Sequence, residues 1–157
     1  MAVQRVPVPA DALLAAYCGD GNHVDAYQLS VSEPVALPDY IRAFFQTGIF
    51  RLERWILAVA AGASSSDYQI EDLAKGQGDR MAAWRVEARG DQEILLAVEG
   101  SPIRTWLGVV SGPSPALLFG SAVLAYKGRV PFAARALMPF HAVYSRVLLA
   151  SAGRNFP

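Results

Sequence analysis

The sequence predicts an α+β fold: a curved antiparallel sheet wrapped around a long C-terminal helix, with two short helices after the first strand. Three observations predict it. Between Arg80 and Tyr126 run four strand-like segments separated by turns rich in Gly, Ser and Pro, and the first two alternate apolar with polar residues as a strand with one buried face must. Ahead of them, apolar residues recur at helical spacing from Ile41 to Val59. Behind them, Phe140, Val143, Tyr144, Val147 and Leu148 follow the i, i+3, i+4, i+7, i+8 rule of an amphipathic helix.

Taken in order, Asp11 can cap a short helix from Ala12 to Tyr17 that stops at Gly19. His23 to Val31 is strand-compatible and Pro34 ends it. Pro38 suits a first helical turn and opens a helix carrying Ile41, Phe44, Phe45 and Ile49. Leu52, Trp55, Ile56 and Val59 mark a second helix, stopped by Gly62. Ser66 and Gln69 fit a capping box for a short helix with Ile70, Leu73 and Ala74 on one face, closed by Gly76. The meander follows. In Arg80 to Arg89, Ala82, Trp84, Val86 and Ala88 share one side, while Arg85, Glu87 and Arg89 share the other. Gly90-Asp91 turns the chain into Glu93 to Glu99, and Gly100-Ser101-Pro102 turns it again into Ile103 to Val110 and then Ala116 to Tyr126. The last helix ends near Gly153, and Pro139 predicts either a kink or a fresh start.

Composition bounds the function. A chain of 157 residues with 53% hydrophobic and 18% charged residues reads as one domain over 1–157. A chain this long buries roughly 68–70% of its unfolded surface and needs neither disulfide nor metal to fold. Cys18 is the single cysteine, and the 14 Lys and Arg balance 14 Asp and Glu. That balance argues against a surface that tracks nucleic-acid phosphates. The first residues, Met1 to Pro9, lack the apolar run of a signal peptide, so a cytoplasmic chain is expected. Thr105 to Tyr126 is uncharged over a membrane-spanning length, but Pro113 and Pro115 sit in its middle, and no membrane span is expected.

The order strand, two helices, meander and C-terminal helix resembles the helix-grip fold of the START-like (SRPBCC) superfamily, which includes birch-pollen allergen-like proteins and polyketide cyclases. More locally, Phe50-Arg51-Leu52-Glu53-Arg54-Trp55, Arg80 to Val86, Phe119-Gly120-Ser121-Ala122-Val123 and Phe140 to Arg146 look like segments of an uncharacterised bacterial family of similar length. The resemblance implies a cavity between the long helix and the sheet that holds a small apolar or amphipathic molecule, with no cofactor. Its walls would be Trp84, Leu96, Trp106, Phe140 and Tyr144, with Arg80, Arg104 or His141 orienting a polar end. A cyclase- or dehydratase-like enzyme is the alternative, with His141 as acid or base and Tyr144 as donor. A packed protein that works only through contacts with other proteins is the third reading.

Each residue also has a plainer role. Trp84 and Trp106 suit core packing, Arg80 and Arg104 suit solvated strand ends, and His141 can be satisfied locally by Ser145. His23, at a strand start after a turn, reads as exposed, and Glu71 and Asp72 as solvated. Two histidines far apart and one cysteine, read as a small buried hydrophobe, give no metal spacing. Gly76-Gln77-Gly78 leads into a strand rather than a helix and so is no phosphate loop, and Ser64-Ser65-Ser66 lacks a nucleophile's context. The last two strands are apolar on both faces, which predicts a homodimer packed through their outer face or through an adjoining helix.

Overall fold

Among the described residues, period-two alternation and Gly/Pro turns are realised as seven strands joined in one antiparallel sheet. The computed structural model describes residues 2–48, 67–130 and 132–157. Its elements are β1 (Gln4–Val6), a 3₁₀ turn (Leu13–Tyr17), β2 (His23–Ser30), α1 (Leu37–Phe45), α2 (Asp67–Lys75), β3 (Arg80–Met81), β4 (Trp84–Arg89), β5 (Glu93–Val98), β6 (Ile103–Val110), β7 (Ala116–Val123) and α3 (Phe132–Gly153). The expected helix with Leu52, Trp55, Ile56 and Val59, the cap Ser66, the Ser64–Ser66 run and the Phe50–Trp55 segment lie outside the described residues.

The strand order is β1-β2-β7-β6-β5-β4-β3. The meander therefore closes on the strand that precedes the helices, and β2 pairs with β7 along its whole length, His23 opposite Val123 through Ser30 opposite Ala116. One face carries Tyr27, Leu29, Trp84, Leu96, Leu107 and Phe119 in the larger core, together with Tyr40, Phe44 and Phe45 of α1 and Leu148, Leu149 and Ala152 of α3. Phe44 stacks on Phe119 at 5.3 Å between ring centres. Buried Tyr40 donates its hydroxyl to the Leu118 carbonyl at 3.0 Å, which fixes α1 to β7, and burial pushes that phenol well above its ordinary value.

Several expectations are corrected. Arg80 to Arg89 is not one strand: Ala82 adopts φ of 52°, so β3 folds back on β4 with Met81 opposite Trp84. A bulge between Val86 and Ala88 then shifts the register and reverses the facing. Ala88 joins the smaller cluster on the other side of the sheet. Arg89 turns inward instead and donates to the carbonyls of Leu73 and Ala74 at 2.7 and 3.0 Å, capping the end of α2.

The outer face does have a partner within the chain. Leu14 of the 3₁₀ turn is fully buried among Ala26, Leu95, Trp106, Leu118 and Ala122. Gly120 makes this possible, because a Cβ there would lie 2.6 Å from Leu14 Cδ2 and 2.9 Å from Trp106 Cε3. Asp11 does not cap this turn; the Leu13 amide is taken by Glu93 Oε2 at 2.9 Å, and the same oxygen accepts from Trp106 Nε1 at 2.7 Å. The covered face removes the argument for a dimer formed through β6 and β7.

The C-terminal helix is also turned relative to expectation. It runs unbroken through Pro139, and the side it buries is Ser145, Leu148, Leu149 and Ala152, whereas Phe140, Val143 and Val147 are exposed. Among the described residues no helix is long and apolar enough to cross a membrane.

Two measurements test this packing. Leu14→Ala is expected to lower the unfolding free energy by about 2–5 kcal/mol, seen as a lower urea midpoint with an unchanged slope; Tyr68→Ala, at an exposed position, is expected to change it by less than about 0.5 kcal/mol. Arg42 Nε and Nη2 hold Glu71 at 2.7 and 2.9 Å, and that pairing, then Lys75, depresses the Glu71 carboxyl from 4.5 to about 2. The stabilisation is present above the unfolded value and is lost as pH falls through the folded one, so Glu71→Gln should flatten the stability profile between pH 4.5 and about 2 and lower stability at neutral pH by the same amount, a small one for an exposed pair.

Candidate functional site

A row of polar side chains interrupts the core where α3 crosses β2 and β7. On β2 the strand period puts His23, Asp25 and Tyr27 on the helix-facing side, and Asp25 lies directly opposite Ser121 of β7. Asp25 and Ser121 are 4% and 3% exposed and Ser145 of α3 is fully buried. The His141 side chain, 31% exposed, reaches down from α3 at the edge.

The hydrogen bonds form a chain. Ser121 Oγ lies 2.8 Å from Asp25 Oδ1 and 2.7 Å from His141 Nε2. Tyr27 donates its hydroxyl to Asp25 Oδ2 at 3.2 Å. His23 Nε2 and His141 Nε2 stand 3.9 Å from Oδ2 and Oδ1 respectively, so one carboxylate has an imidazole at each oxygen. Ser145 Oγ returns a bond to the His141 carbonyl at 2.8 Å, the back-bond a serine makes inside a helix. Burial first, then the adjacent Asp25 charge, pushes the Tyr27 phenol above its ordinary value, so it remains a donor through the neutral range.

Proton bookkeeping fixes the polarity. An ionised Asp25 only accepts, so the Ser121 proton points to Oδ1 and His141 must donate through Nε2–H. A serine nucleophile requires the reverse, with the hydroxyl donating to an unprotonated imidazole nitrogen. Ser121 is therefore a bridge. When His141 is an imidazolium, passing its proton to Ser121 and the Ser121 proton to Asp25 exchanges donor and acceptor at both bonds without displacing a heavy atom.

Beside this chain a cleft of about 320 Å³ opens between the Gly21–His23 and Gly128–Val130 turns on one side and Arg135 and Met138 of α3 on the other. Gly21, at φ of 76°, lets the two turns meet, since a Cβ would sit 2.5 Å from the Gly128 oxygen. Arg129 and Arg135 are exposed at its rim.

The residues read from the sequence are distributed differently from expectation. Trp84 and Leu96 are buried in the core on the helix-facing side. Trp106 and Arg104 are on the opposite face, where Arg104 pairs with Glu87 at 2.7 Å and stacks over the Tyr17 ring at 5.5 Å. Phe140 points to solvent, and Arg80 is an exposed partner of Glu99. These side chains therefore do not wall one cavity. His141 and Tyr144 do stay together, with ring centres 6.4 Å apart. Asp25, Ser121 and the role of His23 were missed; the available signal was the β2 row His23-Asp25-Tyr27, with a carboxylate where a buried strand face wants an apolar residue. Cys18 is exposed rather than buried, and among the described residues no group of His, Cys, Asp and Glu is arranged for a metal.

Ser121→Ala removes the bridge and leaves Asp25 with one bond fewer. It should cost roughly 1–3 kcal/mol, measured by urea unfolding, and should speed amide exchange in the first half of α3 more than in its Leu148–Ala152 turn. Comparison with family models, with curated proteins and with solved structures finds no match to this chain.

Proposed function

We propose that the chain is a helix-grip binding module for a small amphipathic molecule with an anionic end, received at the His23–His141 edge of α3. The order of β2, α1, α2, a five-strand meander and α3 supports the fold reading, because β2 pairs with β7 and the last helix packs across the sheet. The observation that carries the functional reading is Asp25: a buried carboxylate flanked by two imidazoles and bridged to the solvent-side one. A join between helix and sheet does not need charge, and apolar packing of similar volume commonly serves as well or better. Ionisable groups gathered at the rim of a cleft are instead the usual mark of a site. Arg129 and Arg135 supply cations for a carboxylate or phosphate at the mouth, and the apolar tail has Met138 and the exposed side of α3 to lie against.

The C-terminal end of the helix offers the ligand no room, since Leu148, Leu149 and Ala152 are packed into the core there. An acid–base enzyme using His141 is the second reading. The proton chain to Asp25 favours it, and it predicts turnover that depends on His141 protonation.

Titration with medium-chain fatty acids, followed by thermal shift and by histidine ring NMR signals, tests the proposal. Binding should raise the melting temperature, move the His23 and His141 signals, and weaken about ten- to a hundredfold in Arg135→Ala, the loss expected for one charge-assisted bond. Neither a shift in melting nor a response at either histidine would end this reading.

A further inference from the structure

The charge of this chain is balanced only in total. Glu99 is its last acidic residue, and beyond it come Arg104, Lys127, Arg129, Arg135, Arg146 and Arg154 with no Asp or Glu among them. Five of these six, Arg104 apart, are exposed and lie on α3, just after it or in the turn before it. None of those five makes an ion pair among the described residues.

The same helix exposes apolar side chains in a row. Phe132, Phe140, Val143 and Val147 are 86%, 73%, 60% and 48% exposed, and Tyr126 in the preceding turn is 72% exposed. Phe132, Ala136, Phe140, Val143 and Val147 fall at spacings of three and four, which is one stripe of a helix. It runs opposite the buried Ser145, Leu148 and Ala152, and Arg135 and Arg146 lie along one flank.

From this pairing we infer that the outer side of α3, with the Tyr126–Arg129 turn, docks on the surface of an anionic lipid membrane. An apolar stripe with arginines beside it and no carboxylate on the same helix is the chemistry of an interfacial helix, whose aromatic and aliphatic groups enter the headgroup boundary while cations meet acidic lipids. Nucleic acid would satisfy the cations and leave the phenylalanines and valines in water. A second copy meeting through the same patch would set like charges against each other across a two-fold contact. The inference shares Arg129, Arg135 and the exposed side of α3 with the proposed ligand cleft, and its test therefore uses Phe140, Val143, Lys127 and Arg154, none of which lines that cleft.

Sedimentation of the full chain with vesicles tests it. Protein should partition onto phosphatidylcholine vesicles carrying about a third phosphatidylserine, not onto phosphatidylcholine alone, and should be released when salt shortens the Debye length to about 3 Å. The double variant Phe140→Asp/Val143→Asp should lose at least tenfold in partitioning. Lys127→Glu/Arg154→Glu should lose roughly fivefold for each cation removed. All four positions are solvent-exposed, and circular dichroism with thermal unfolding establishes that each variant is folded. Any one of four results overturns the inference: wild type left in solution with both vesicles, folded variants that partition as wild type does, a self-association abolished by Phe140→Asp in place of vesicle binding, or tighter binding to a duplex oligonucleotide than to vesicles.

Discussion

The contact between Asp25, Ser121 and His141 is the constraint on which the placement of the C-terminal helix depends. An ionised carboxylate with almost no exposure is strongly unfavourable unless donors surround it, and Asp25 finds donors in the hydroxyls of Ser121 and Tyr27, with an imidazole 3.9 Å from each of its oxygens. Only one of those groups, His141, comes from the helix. Satisfying the carboxylate therefore selects the rotation of α3 about its axis: the side with His141 and Ser145 must face the sheet, and the side with Phe140 and Val143 must face away.

That rotation links the interior to the surface. Bringing His141 onto β7 leaves the apolar stripe outward, where hydrophobic burial alone would have turned it inward. It also keeps one imidazole at the solvent edge while its bond partner is buried. The remainder of the helix, Leu148 to Ala152, is ordinary apolar packing against β2 and α1. The helix is thus anchored by apolar contact at its end and by a polar chain at its middle.

The other face of the sheet follows a separate logic. Leu14 can reach Trp106 only because Gly120 presents no side chain, and Glu93 holds the turn that delivers it while satisfying the indole N–H. A single carboxylate thus replaces the local cap that Asp11 does not provide. This small outer cluster covers the apolar side of β6 and β7 that is left bare in a strand-by-strand reading.

What the sequence by itself determined is the order and type of most of the described elements, β1 and the division of β3 from β4 apart: alternation in β4 and β5, turn residues at Gly90-Asp91 and Gly100-Ser101-Pro102, and helical spacing after Pro38 each act between near neighbours, so they are legible locally. His141 was legible as a candidate for the same reason, being a lone imidazole on an apolar helix. The tertiary structure decided everything that depends on what lies opposite. The bulge after Val86 sends Ala88 and Arg89 to the faces their alternation denies them, because register belongs to a pair of strands. Gly120 has its meaning from Leu14, far away in the chain. The buried side of α3 was decided by Asp25 and Ser121, since an amphipathic pattern counts apolar residues and has no term for a charge that must be met from across the sheet.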